Sequence, residues 1–159
     1  MRELRGSLDG TALRVGLVRS RFNESVTRGL LAGALDELAT LKVSDDRITL
    51  CEVPGALEIP VVARALALGG RHHALVALGC VIRGETDHYE HVCSGTIGGC
   101  GQVALQTGVP VGIGVITCDT LAQAAERSGA GPKNMGRAAV RAALETASLL
   151  AALRAEGGA

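Results

Sequence analysis

A chain of 159 residues has the length of one domain, and a domain of that size buries roughly 70% of its unfolded surface without help from disulfides. Its 16 Lys plus Arg balance 16 Asp plus Glu, so no whole-molecule field draws it to nucleic acid or to a membrane surface. No apolar run reaches the about 20 residues of a membrane span, and residues 1–10 lack an apolar signal core, so a soluble, unexported, cytoplasmic protein is expected.

Residues 13–19 (LRVGLVR) and 48–53 (ITLCEV) are short runs rich in β-branched and aliphatic side chains, while residues 74–82 (ALVALGCVI) and 111–117 (VGIGVIT) are almost wholly apolar. Continuous apolar runs of strand length predict strands covered on both faces. Helical patterns lie between them. Over residues 23–41, Val26, Leu30, Ala34, Leu38 and Leu41 recur at helical spacing, with Asn23 placed to cap the first turn. Residues 57–68 predict a second helix that tolerates Pro60 only in its first turn. A third helix, from 86 to about 107, is weakened by Gly95, Gly98, Gly99 and Gly101, and close packing against a neighbour would offset that weakness. Residues 120–127 open with a capping box of Thr120 and Gln123, and residues 134–153 form a last, Ala-rich helix carrying Leu144, Leu149, Leu150 and Leu153. The order β-α-β-α-β-α-β-α-α predicts an α/β fold: a three-layer αβα sandwich, flavodoxin-like, around a four-stranded parallel sheet. No repeat or linker interrupts it, so residues 1–159 read as one domain, with 1–12 as an N-terminal extension.

In such a sheet ligands sit beyond the carboxyl ends of the strands, which directs attention to residues 20–23, 54–58, 83–88 and 118–120. Phe22 and Tyr89 are the only aromatic residues, and Phe22 falls in one of these loops. The stretch from Gly79 to His88 runs from a strand through Gly84 into a helix, where free N–H groups, the helix dipole and the Thr86 hydroxyl offer a phosphate cradle; an ordinary βα turn reads the same way. His88 lies in the first turn, and imidazole suits proton exchange with a bound carbonyl, although a polar cap is the commoner use. Glu58 at a helix start either complements the dipole or accepts hydrogen bonds from a polyhydroxylated ligand. Arg127 ends a short helix, where it is a surface arginine or a phosphate partner. His88 and His91 with Cys93 fall short of a zinc site, since no second spaced pair joins them. His72 and His73 read as solvated loop residues, and the five cysteines as reduced thiols, mostly within apolar segments.

Four segments taken together resemble the lumazine synthase family: Arg21-Phe22-Asn23, Val-Pro-Gly-Ala-Leu-Glu-Ile-Pro at 53–60, Val-Ile-Arg-Gly-Glu-Thr-Asp-His-Tyr at 81–89, and Glu-Arg-Ser-Gly at 126–129. The ordered set spans nearly the whole chain. The resemblance implies condensation of 5-amino-6-ribitylaminouracil with 3,4-dihydroxy-2-butanone 4-phosphate to 6,7-dimethyl-8-ribityllumazine, phosphate and water, with neither metal nor organic cofactor. It implies that Phe22 stacks on the pyrimidine, that Ala56, Leu57 and Glu58 with Cys80, Val81 and Ile82 hold the ribityl-bearing substrate, and that Gly84, Glu85 and Thr86 meet the butanone phosphate. Arg127 then pairs with the phosphate, and His88 transfers protons. It also implies a homo-oligomer with pockets shared between neighbours: pentamers, free or closed into an icosahedral shell of about 60 subunits, with riboflavin synthase as a candidate partner.

The chain departs from the family pattern at Met135, where Asn-Lys-Gly is common and Lys133 stands two residues earlier, at Ile113, where a larger pocket residue contributed across the interface is usual, and at His91, where an aromatic is usual. A non-catalytic lumazine or flavin-binding relative and a mainly shell-forming protein are the competing readings. Retention of Glu58, His88 and Arg127 favours the enzyme over the first, and the second is compatible with catalysis.

Overall fold

In the computed structural model, which describes residues 1–157, four parallel strands stand in the order β2-β1-β3-β4. These are β1 (Val15–Ser20), β2 (Ile48–Val53), β3 (Ala74–Ile82) and β4 (Val111–Cys118). Five helices accompany them: α1 (Glu24–Thr40), α2 (Ile59–Leu68), α3 (His88–Thr107), α4 (Leu121–Ser128) and α5 (Met135–Gly157). The chain steps from β1 outward to β2, then back across β1 to β3 and β4. With right-handed crossovers this reversal puts α1 on one face and α2 and α3 on the other, and α5 packs beside α1. The expected αβα sandwich is present.

Each face of the sheet has its own core. Leu17, Leu30, Leu38, Val76 and Leu144 belong to one, and Val18, Ile59, Leu75, Ala77 and Val103 to the other. Alternate residues of β1 and β3 feed both, so these central strands are buried on both sides, as continuous apolar runs require. β2 at the edge shows Thr49, Leu50 and Glu52 to solvent. The charged exception in β1 is Arg19, buried with its Nε donating to Glu52 Oε1 at 3.1 Å and its Nη1 to Thr27 Oγ1 at 3.3 Å. The residues before β1 lie along the molecule: the Ser7 N–H donates to Ser148 Oγ at 2.9 Å, and the Gly10 N–H to the Leu41 carbonyl at 2.7 Å.

Several local expectations change. Asn23 holds the N-cap position of α1, but its side chain does not cap the helix; it takes the left-handed conformation at φ 56° and its Nδ2 donates 3.1 Å to the Cys80 carbonyl, because the end of β3 offers that acceptor. The second helix is split into a 3-10 turn at Ala56–Glu58 and α2 proper, which leaves Pro60 in the first turn as expected. α3 starts at His88, two residues later than its pattern suggests. His72 and His73 are bonded rather than merely solvated: His73 Nδ1 accepts the Arg14 N–H at 2.8 Å, and His72 Nε2 lies 3.0 Å from Thr49 Oγ1. Of the glycines in α3, Gly95 and Gly99 face inward, where an added Cβ would stand 2.8 Å from Leu57 and from Pro60; Gly98 and Gly101 face open space.

The second turn of α1, the end of α4 and the start of α5 meet at Asn134, which is 1% exposed. Its Nδ2 donates to the carbonyls of Gly29, Ser128 and Gly129 at 3.0, 3.1 and 2.9 Å, and its Oδ1 caps α5 by accepting the Gly136 N–H at 2.8 Å. Glycine at 33 and 136 permits the approach, since a Cβ would stand 2.3 Å from the Asn134 amide and 2.1 Å from the Leu30 carbonyl oxygen respectively. No helix among the described residues is long and apolar enough to cross a membrane.

Candidate active site

The carboxyl ends of β1, β2 and β3 open into a cleft of about 520 Å³, a volume typical of small-molecule sites. It lies at the reversal between β1 and β3, where successive connections leave for opposite faces and a crevice remains. Phe22 enters from the β1–α1 loop, Ala56, Leu57 and Glu58 from the 3-10 turn after β2, Cys80, Val81 and Ile82 from β3, and Gly84, Thr86 and His88 from the turn into α3.

The Phe22 loop is pinned on both sides. The Arg21 and Phe22 N–H groups donate to the carbonyls of Val53 and Pro54 at 2.8 and 3.1 Å, and the Asn23 amide reaches β3. The ring itself is left 71% exposed at the cleft. A large apolar face held in water by a fixed backbone gains by being covered, and a flat heterocycle covers it best.

Glu58 Oε2 accepts the Gly55 N–H at 2.8 Å, which fixes the carboxylate, while Oε1 has no partner among the described residues. Cap and ligand acceptor are therefore compatible uses of one side chain. Burial, reinforced by Cys118, pushes the Cys80 thiol up to about 12, so it lines the cleft as a neutral group and not as a nucleophile. At the turn, Thr86 Oγ1 accepts the His88 N–H at 3.4 Å, and the space above Gly84 is open. α3 runs 20 residues from this point, and its N-terminal amides and dipole favour an anion there. His88, the first residue of α3, completes this wall.

Three of the expected residues lie elsewhere in the chain's own fold. Glu85 is exposed on the turn but outside the cleft lining. Arg127, near the end of α4, lines a separate hollow of about 670 Å³ with Thr117, Asp119, Glu126 and Met135, and Tyr89 is a wall common to hollow and cleft. Ile113 lines a third, mainly apolar groove of about 770 Å³ between β4 and α5. Lys133 is paired with Glu126 at 2.5 Å, and His91 is exposed on α3. The cleft also uses Gly55, Tyr89 and Val92, which the sequence reading did not single out as ligand contacts. The signals were Tyr89, as one of two aromatics beside His88, and Val92, one helical turn beyond it. Among the described residues, no three His, Cys, Asp or Glu side chains group as metal ligands.

A family profile described as 6,7-dimethyl-8-ribityllumazine synthase matches residues 12–151. The chain is also 44% identical over 149 residues to the 6,7-dimethyl-8-ribityllumazine synthase of Protochlamydia amoebophila (strain UWE25), a match that covers 94% of this chain and 87% of that protein. All four ordered motifs fall within the matched span, and the cleft is built from three of them. The chain therefore belongs to the 6,7-dimethyl-8-ribityllumazine synthase family.

Proposed function

We infer that the protein is the lumazine synthase of a riboflavin pathway, condensing 5-amino-6-ribitylaminouracil with 3,4-dihydroxy-2-butanone 4-phosphate to 6,7-dimethyl-8-ribityllumazine, phosphate and water. The observation that carries this reading is a single cleft, in a chain of that family, that gathers an exposed aromatic ring, a fixed carboxylate, a helix N-terminus and an imidazole. In this reading Phe22 stacks on the pyrimidine, while Glu58 accepts from the ribityl hydroxyls between Ala56, Leu57 and the Cys80–Ile82 edge. Gly84, Glu85 and Thr86 receive the butanone phosphate. Imine formation releases one water, elimination releases phosphate, and attack by the second nitrogen on the remaining carbonyl closes the ring with loss of a second water. Each step moves protons, which is the work assigned to His88. Holding the two substrates in register supplies much of the remaining rate.

The same reading makes the enzyme a homo-oligomer, a pentamer in which Ile113 and Arg127 of one copy complete the cleft of the next. Two observations support it. Arg127 and Ile113 lie on the β4 side, apart from the chain's own cleft, and the groove beside Ile113 is lined by apolar residues that include Leu105, 88% exposed. A patch that fits a different patch on the next copy builds a ring when the rotation between copies closes. The open face of α3 at Gly98 and Gly101 is a second candidate contact. The five free cysteines fit the reducing cytoplasm.

The test is incubation of the purified protein with both substrates and no added metal or cofactor, following lumazine absorbance and phosphate release together. Product and phosphate should appear in equal amounts and only when both substrates are present. Folded protein that forms no product at saturating concentrations of both would overturn the reading.

A further inference from the structure

Arg83, between β3 and the Gly84 turn, is held from two directions. Its Nη1 donates to Glu90 Oε1 at 2.6 Å, its Nε donates to Asp119 Oδ1 at 2.9 Å, and its guanidinium carbon stands 4.2 Å from the centre of the Tyr89 ring. Its backbone N–H donates to the Cys118 carbonyl at 2.9 Å. Tyr89 and Glu90 directly follow His88 in the first turn of α3. Asp119 belongs to the corner that opens α4, where its own N–H donates to the capping side chain Gln123 at 2.8 Å. One planar side chain thus joins the helix that carries His88 to the corner that leads towards Arg127.

Neither ligand binding nor stability accounts well for this arrangement. Two carboxylates already oppose the Arg83 charge, so an arriving phosphate would have to displace them. The pairs are about half exposed, where isolated ion pairs contribute little to stability. What three convergent contacts on a rigid fork do provide is direction. Tyr89, clasped by this fork, is the wall that the cleft shares with the Arg127 hollow. We propose that Arg83 is a positioning residue for the condensation: by clamping Tyr89, Glu90 and Asp119 it fixes the first turn of α3, and with it the aim of His88, against the β4–α4 corner. This rests on the functional reading above.

The experiment compares steady-state turnover, thermal unfolding and assembly size for the wild type, Arg83→Met, Arg83→Lys, Glu90→Gln and the Arg83→Met/Glu90→Gln double variant. Arg83→Met should lower kcat by about tenfold or more, the scale expected when a proton carrier is misaimed. Its KM for the ribitylaminouracil should stay within about twofold, with unfolding temperature and assembly unchanged. Arg83→Lys should recover less than half of the loss, since an ammonium cannot reproduce the fork. Glu90→Gln should lower kcat in the same direction, and the double variant should be little worse than Arg83→Met alone, because both break one clamp. Should Arg83→Met fail to fold, Glu90→Gln and Asp119→Asn decide: a lower kcat at unchanged unfolding temperature supports the proposal, and an unchanged kcat in both overturns it. Wild-type kcat in folded Arg83→Met, full rescue by lysine, or additive losses in the double variant would each overturn it alone. A wild type without turnover would overturn the functional reading and this inference together.

Discussion

The cleft at the strand ends and the junction beneath α1, α4 and α5 are both made of loop ends and glycines, yet they treat polar groups in opposite ways. At the junction, Asn134 is buried and both ends of its amide are occupied, by carbonyls of α1 and the α4 terminus on one side and by amides of α5 on the other. In the cleft, Phe22 is exposed, Glu58 commits one oxygen of two, and the His88 ring has no partner among the described residues. A buried, saturated polar group is there to hold the fold, because leaving it unpaired would be costly. A fixed but unsaturated group at a crevice is available to something that arrives. The contrast separates residues that a substitution should unfold from residues that it should only silence.

The largest expected effect is at the junction. Asn134→Ala removes a helix cap and strands three carbonyls, and should lower unfolding free energy by about 3 kcal/mol or more in denaturant titrations. Product affinity of the fraction that remains folded should change little; a selective loss of affinity would break the contrast. Phe22→Ala should do the reverse, weakening product binding by about 1 to 3 kcal/mol in calorimetric titration while unfolding stays within about 0.5 kcal/mol of wild type. Phe22→Tyr should be mild. His88→Ala should fold and bind product, yet lose at least about tenfold in pre-steady-state lumazine formation. Wild-type rates in that variant would leave His88 as a cap and move proton transfer to water or the substrate phosphate. The smallest effect sharpens the rule at its exception. Thr96, fully buried in α3, has a hydroxyl without a partner among the described residues, so Thr96→Val should raise stability by up to about 1 kcal/mol without touching turnover.

The sequence made visible what local chemistry decides. β2 and β3 run over the expected residues, because burial on one or both faces writes itself into short aliphatic runs. The Thr120 and Gln123 capping box is present, with Gln123 N–H donating to Thr120 Oγ1 at 3.2 Å. Phe22 stood out because a chain nearly free of aromatics places one in a crevice loop. What stayed hidden depends on distant partners. Asn23 finds its acceptor 57 residues away, and Asn134 reaches a carbonyl 105 residues away. No spacing rule carries either contact: by pattern Asn23 is a helix cap and Asn134 the first residue of the last helix. The separation of Arg127 from the cleft likewise follows from β4 lying at the sheet edge, a matter of strand order and not of motif.

The claim that a neighbour completes the cleft is tested most directly by mixing two crippled subunits. His88→Ala spoils the cleft and Arg127→Ala spoils the arm, so neither alone assembles an intact site. Co-assembled in equal amounts, about a quarter of the interfaces should pair an intact cleft with an intact arm, and lumazine synthesis should rise towards about a quarter of the wild-type rate. Activity no higher than the average of the two separate variants, in oligomers shown to contain both, would place Arg127 and His88 in the same subunit's site or leave Arg127 out of it.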